Sequence, residues 1–129
     1  MKIKIFYQDF SQQVNLHLSK KISFVPGNAV LIYEIDLNDP ELVRWSKVMG
    51  VKLNDGVPRD ILCDIVYAKM NHLDVPKGHP DREIFEKAGH TSMSIGDYIE
   101  FDDGNDGKVW ICSPNGWSKY KKEHLIKMS

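Results

Sequence analysis

The chain has 129 residues, enough for a single domain that buries a sizeable core, and 42% hydrophobic with 27% charged residues is ordinary globular composition. A mean hydropathy of -0.37 argues against both a membrane protein and a disordered one. Lys plus Arg number 17 and Asp plus Glu 18, which excludes a bulk positive charge as the basis for binding nucleic acid and leaves only a local patch.

The opening MKIKIFYQDF alternates charge with apolar residues, unlike a signal peptide, and no run approaches the ~20 apolar residues of a membrane span. A cytoplasmic protein is expected. The two cysteines, Cys63 and Cys112, each sit in an apolar run and are expected as buried thiols without a disulfide.

In chain order, the period-2 pattern of Lys2 to Tyr7 predicts a half-buried strand near one sheet edge, and Gln8 to Lys21 carries no clear signal. Ala29 to Leu37 predicts a second strand, with the apolar set Leu31, Tyr33, Ile35 and Leu37 facing the core. Asp39-Pro40-Glu41 is a helix start, and Leu42, Trp45 and Met49 follow at helical spacing. Gly50 is placed as the left-handed stop of that helix, which should span about 40–49.

A second helix is expected from about Arg59 to His72, with Ile61, Leu62, Ile65, Val66 and Met70 as its apolar stripe. After the breaker Asp74 to Pro80, a short helical turn should run from Asp81 to Lys87 and end at Gly89. Asp97 to Asp102 and Lys108 to Ser113 read as a hairpin, and Trp117 to Tyr120 as a further strand. The expected class is α+β: a small mixed or antiparallel sheet, two main helices and a C-terminal hairpin in one domain, with barrel-like closure left open.

Several residue groups invite a chemical reading. His72, Asp74, His79, Asp81 and His90 cluster in sequence, but their spacing matches neither a helical i, i+4 zinc pair nor the paired ligands of structural zinc, so solvated loop histidines are expected and no metal. Asp102, Asp103, Asn105 and Asp106 suggest a calcium loop. Aligning Gly107 to its required glycine puts Gly104 at a ligand position and Ser113 where Glu belongs. Ser92-Met93-Ser94-Ile95-Gly96 lacks the leading glycine and following helix of a nucleophile elbow, and reads as a turn that launches a strand. No cofactor pattern is found.

Trp110, Trp117 and Tyr120 with Lys119, Lys121 and Lys122 could form a stacking platform for bases, although both parities of Lys108 to Ser113 are apolar, which favours core for Trp110 and leaves Trp117 as the exposed ring. Charge is uneven along the C-terminal third: Asp97, Glu100, Asp102, Asp103 and Asp106 crowd the hairpin, and Lys119, Lys121, Lys122 and Lys127 crowd the tail.

The stretch His90-Thr91-Ser92-Met93-Ser94-Ile95-Gly96-Asp97-Tyr98-Ile99-Glu100, a turn, and a strand ending in Ser113-Pro114-Asn115-Gly116-Trp117 resembles the YodL-like small proteins of phages and conjugative elements. In that family a Ser-Met-Ser-Val-x-Asp strand start precedes an aromatic strand and a Ser-x-Gly-Phe ending. The motif residues are His90, Ser92, Met93, Ser94, Gly96, Asp97, Gly116 and Trp117, with Trp117 in place of Phe and Pro114-Asn115 lengthening the approach to Gly116. The likeness is close over 90–117 and loose over 30–120. It implies a phage or mobile-element accessory protein, without an established reaction and so without catalytic residues.

Three functions are therefore expected in order. The first is a non-enzymatic binding module for a host or element protein, working through Asp102, Asp103, Asp106 and the Asn115-Gly116-Trp117 edge. The second is nucleic-acid binding through Trp117, Tyr120, Lys119, Lys121 and Lys122. The third is a hydrolase or nuclease built from His72, Asp74, His79 and His90, which requires at least two of them to converge.

Overall fold

The computed structural model describes residues 1–8, 29–72, 78–88, 92–102, 108–114 and 116–121, and gives no side-chain description for Lys108, Tyr120 and Lys121. Its elements are strand β1 (Lys2–Gln8), strand β2 (Ala29–Asp36), helix α1 (Pro40–Val48), helix α2 (Arg59–Asn71), helix α3 (Arg82–Ala88), and strands β3 (Tyr98–Asp102), β4 (Lys108–Ser113) and β5 (Gly116–Lys121). The class is α+β. The five strands form one antiparallel sheet in the order β2-β1-β3-β4-β5, open among the described residues and not closed into a barrel.

β1 is half-buried and lies second in the sheet order, near one sheet edge as expected, and pairs on both sides, with the outer strand β2 and with β3. Charge at every second residue suits a strand paired on both sides when its neighbours carry the opposite sign. Lys2 stands opposite Asp36 on β2 and Asp102 on β3, and Lys4 opposite Glu34 and Glu100. Opposite charges directly across a ladder contribute roughly 0.2–1 kcal/mol each.

The other parity of β1 carries Ile3, Ile5 and Tyr7, all fully buried in the main core. Against them pack Leu42 of α1, Leu62, Cys63, Ile65, Val66 and Met70 of α2, Phe85 and Ala88 of α3, and Ile99 and Phe101 of β3. Each buried Ile, Leu or Phe contributes about 1.5–3 kcal/mol of transfer free energy. A second cluster, Tyr98, Val109 and Ile111, lies on the opposite parity, where the Phe6 and Tyr98 rings stack with centroids 4.6 Å apart. Both faces of the sheet therefore carry buried apolar side chains.

The β2 parity expected from sequence holds for only half the strand. Ile5 pairs with Tyr33 but Phe6 pairs with Leu31, so Ile32 is an extra, bulged residue. The bulge switches the alternation: Tyr33, Ile35 and Leu37 pack on the main core as expected, whereas Leu31 turns out to 42% exposure and Val30 and Ile32 turn in.

The helix α1 starts as its sequence dictates. Asp39 Oδ2 accepts the Leu42 N–H at 3.0 Å, Pro40 occupies the first turn, and Gly50 takes φ +73° just past the end. Its buried stripe is Leu42 and Ser46, with Trp45 half-buried, while Met49, expected in the stripe, is 42% exposed. The buried face of α2 adds Cys63 and Lys69 to the expected stripe, and Ile61 falls to its margin. The segment 9–28, including most of the undecided stretch, lies outside the described residues, as does the hairpin turn 103–107.

Lys69 is the unexpected member of the core. Its ammonium, 6% exposed, sits 3.4 Å from Asp39 Oδ2 and 5.2 Å from the centre of the Tyr33 ring. The same carboxylate thus caps α1 and neutralises a lysine of α2. Asp39→Ala should lose about 2–4 kcal/mol, because it removes a cap and strands a buried cation. Adding Lys69→Met should recover a large part of that loss. Chemical denaturation of the three proteins checks both statements.

Candidate functional site

The Ser92–Asp97 turn holds Ser92, Met93, Ser94, Gly96 and Asp97 of the residues singled out from sequence, and its hub is Asp97. This carboxyl is fully buried; its Oδ1 accepts the Gln8 N–H at 2.8 Å and its Oδ2 the Ser94 N–H at 2.7 Å. Gly96, at φ +96°, donates its N–H to the Cys112 carbonyl and accepts the Gln8 side-chain amide at 3.1 Å, and the Cys112 N–H returns to the Asp97 carbonyl. The turn so clasps the end of β1, the start of β3 and the end of β4. Met93 is buried in the core, and the Ser94 hydroxyl bonds the Ser92 carbonyl at 3.3 Å, the local turn bond that the sequence suggested. Asp97, expected as the first residue of the strand, precedes it.

Burial raises the Asp97 carboxyl to about 7, and the two backbone N–H groups from Gln8 and Ser94 oppose that rise. Burial likewise pushes the nearby Cys112 thiol up to about 11, with the Asp97 charge adding to the shift, and raises Cys63 and Tyr7 as well. Both thiols are free and buried. These shifts disfavour the anions that a thiol or phenol nucleophile would need.

The described histidines hold separate partners. His72, just past α2, stacks on Trp45 with centroids 4.2 Å apart and places Nδ1 2.7 Å from the Ala68 carbonyl. His79 Nδ1 accepts the Asp81 N–H at 3.1 Å, and Asp81 also accepts the Tyr33 hydroxyl at 2.8 Å. Asp74 and His90, the other members of the hydrolase reading, lie outside the described residues. Among the described residues no three His, Cys, Asp or Glu side chains gather to hold a metal ion, and no helix is long and apolar enough to cross a membrane.

The aromatic surface forms where β4 and β5 meet α2. Trp117 stands opposite Cys112 and Lys119 opposite Trp110 in the ladder. Trp117 is half-buried: its indole N–H donates to Asp64 of α2 at 2.8 Å and its ring meets Tyr67 edge-on at 6.3 Å. Trp110 packs against the main core while the Lys119 ammonium lies 5.1 Å over its ring. Tyr67, 41% exposed, completes the patch. Tyr120 stands opposite Val109, on the other parity from Trp117 and Lys119, so the ladder does not put positions 117 and 120 on one platform.

Of the other residues named from sequence, Gly116 adopts φ +120° at the β4–β5 turn and its carbonyl accepts the Ser113 hydroxyl at 2.8 Å. Asp102 is exposed at the end of β3, opposite Lys2. Asp103, Asp106, Asn115 and Lys122 lie outside the described residues, and Lys121 is described only as a position in β5. Sequence reasoning missed Gln8, Asp64 and Tyr67. The last two are spaced i, i+3 on the polar side of the α2 stripe, a signal that one face of the helix has a neighbour.

Two outcomes test the clasp. Because the folded Asp97 carboxyl lies above its unfolded value of about 3.9, its contribution to stability is fully present below that value and is lost as pH rises through about 7. The urea midpoint should therefore fall between pH 5.5 and 8.5 by more in the wild type than in Asp97→Asn. Gly96→Ala should cost about 1–3 kcal/mol, since a side chain at φ +96° is strained, while the added Cβ, 3.5 Å from Gln8 Cγ, makes only an ordinary contact.

No protein-family model matches the chain, and neither a curated protein nor a solved structure does.

Proposed function

We propose that the protein is a non-enzymatic binding module, a phage or mobile-element accessory protein that acts by contacting a host or element protein. The observation that carries this reading is the half-exposed surface of Tyr67, Trp110 and Trp117 with Lys119, held at one end of the sheet by the Trp117–Asp64 hydrogen bond. Tyrosine and tryptophan on a rigid support are the side chains that most often dominate protein interfaces, because they bury a large area at small entropic cost. The mobile-element context comes from the YodL-like resemblance of the Ser92–Trp117 stretch.

The motif residues support the same reading from another side. Asp97, Ser94 and Gly96 are engaged in holding three strands together, a structural role that accounts for these residues in this chain without a reaction. Nucleic-acid binding is the second reading. Lys119 and the two indoles favour it, while the split between positions 117 and 120 weighs against a stacking platform.

Affinity capture from host lysate, with and without nuclease, tests the proposal. The wild type should retain one dominant nuclease-resistant protein, and Tyr67→Ala with Trp110→Leu should lose it while melting as a folded protein. An identical catch from both proteins would remove this surface from the proposal. A catch abolished by nuclease would favour the second reading.

A further inference from the structure

The charges of the sheet are unevenly matched. On β1 each lysine has a carboxylate opposite it on both neighbouring strands. At the other end of the sheet the ladder sets Lys108 opposite Lys121, and Lys119 opposite Trp110. Like charges directly opposed in an antiparallel pair are destabilising, by an amount on the scale of the roughly 0.2–1 kcal/mol that a matched pair contributes. Three lysine positions thus share one parity at the end of the β4–β5 ladder, and of these Lys119 places its ammonium over the Trp110 ring.

β5 is also the last strand in the sheet order among the described residues. We infer that the β5 edge is a docking site for an acidic protein segment in extended conformation, lying alongside β5 as an added strand. This rests on the binding-module reading and gives its partner a chemistry. An added strand takes affinity from main-chain hydrogen bonds and specificity from alternate side chains. Alternate carboxylates meet the positions of Lys119 and Lys121, and apolar residues between them lie toward the opposite parity.

Lysines on an edge strand oppose pairing with a second copy of the same strand. An acidic strand meets no such repulsion, so the charge that blocks self-association selects the partner. A nucleic acid would satisfy the charge as well, but it uses aromatic faces. The Trp110 ring already carries the Lys119 ammonium, and the Trp117 ring is pinned to α2 through Asp64 and Tyr67.

The test is amide NMR of the full chain titrated with a capped alternating Val–Glu peptide, an alternating Val–Lys peptide and a short oligothymidylate. The acidic peptide should shift and protect the amides of Gly116–Lys121, with an affinity that falls as salt rises, and the basic peptide should leave them unchanged. Lys119→Glu with Lys121→Glu should weaken the acidic peptide by about tenfold or more while the amides of β1 and β3 stay in place. Equal response to both peptides, response to oligothymidylate alone, or no response to any probe would each overturn the inference. If the lysate partner is still captured in a Tyr67- and Trp110-dependent way, the binding-module reading survives that failure.

Discussion

The fold depends on a carboxyl group that has been taken out of water and given backbone N–H groups in return. Asp97 receives one of them from Ser94, within its own turn, and the other from Gln8, 89 residues away in the chain. An ionised group in such surroundings is costly unless it is bonded, and here both oxygens are bonded. The bond to Gln8 fixes where β1 ends against the start of β3, and the neighbouring amides of Gly96 and Cys112 carry the same constraint across to β4. Without it, the pairing of β1 with β3 would rest on the ladder alone, and one residue of slip would exchange Ile3, Ile5 and Tyr7 for Lys2, Lys4 and Phe6 on the core side.

The same division of faces governs what remains outside. The helices cover the Ile3 side of β1, and α2 reaches far enough across for Asp64 and Tyr67 to meet Trp117 on β5. Trp110 is left with core on one side and a lysine on the other. The aromatic surface is thus a margin of the main core, formed where helix cover ends.

How much of this was legible depends on how local its causes are. The start of α1 could be read from Asp39, Pro40 and Glu41, and its end from Gly50, because capping and left-handed backbone are decided within a few residues. The strands of the C-terminal hairpin and the buried stripe of α2 follow from periodicity for the same reason. The pairing of β1 on both sides could not be read, since it depends on Asp36, Glu34, Glu100 and Asp102 arriving from distant segments. Nor could the bulge at Ile32, which exists only relative to β1. Asp97 was named as a motif residue and as one acid of an acidic stretch, but nothing in its own neighbourhood announces that Gln8 will bury it. The candidate surface was half legible: Trp110, Trp117 and Lys119 were named, but their separation from Tyr120 is a matter of register.

The place of β1 between β2 and β3 also sets an order of events during synthesis. A ribosome releases β1 first and β2 soon after, so that one side of β1 finds its partner while most of the helical cover is still unmade. The other side waits until β3 has emerged, and the Gln8–Asp97 bond waits with it. Until the helices follow, Ile3, Ile5 and Tyr7 lie on a two-stranded ribbon, which is marginal in water by itself. Completion of the core is therefore tied to the late arrival of one turn, and β1 keeps an open edge until β3 has been made.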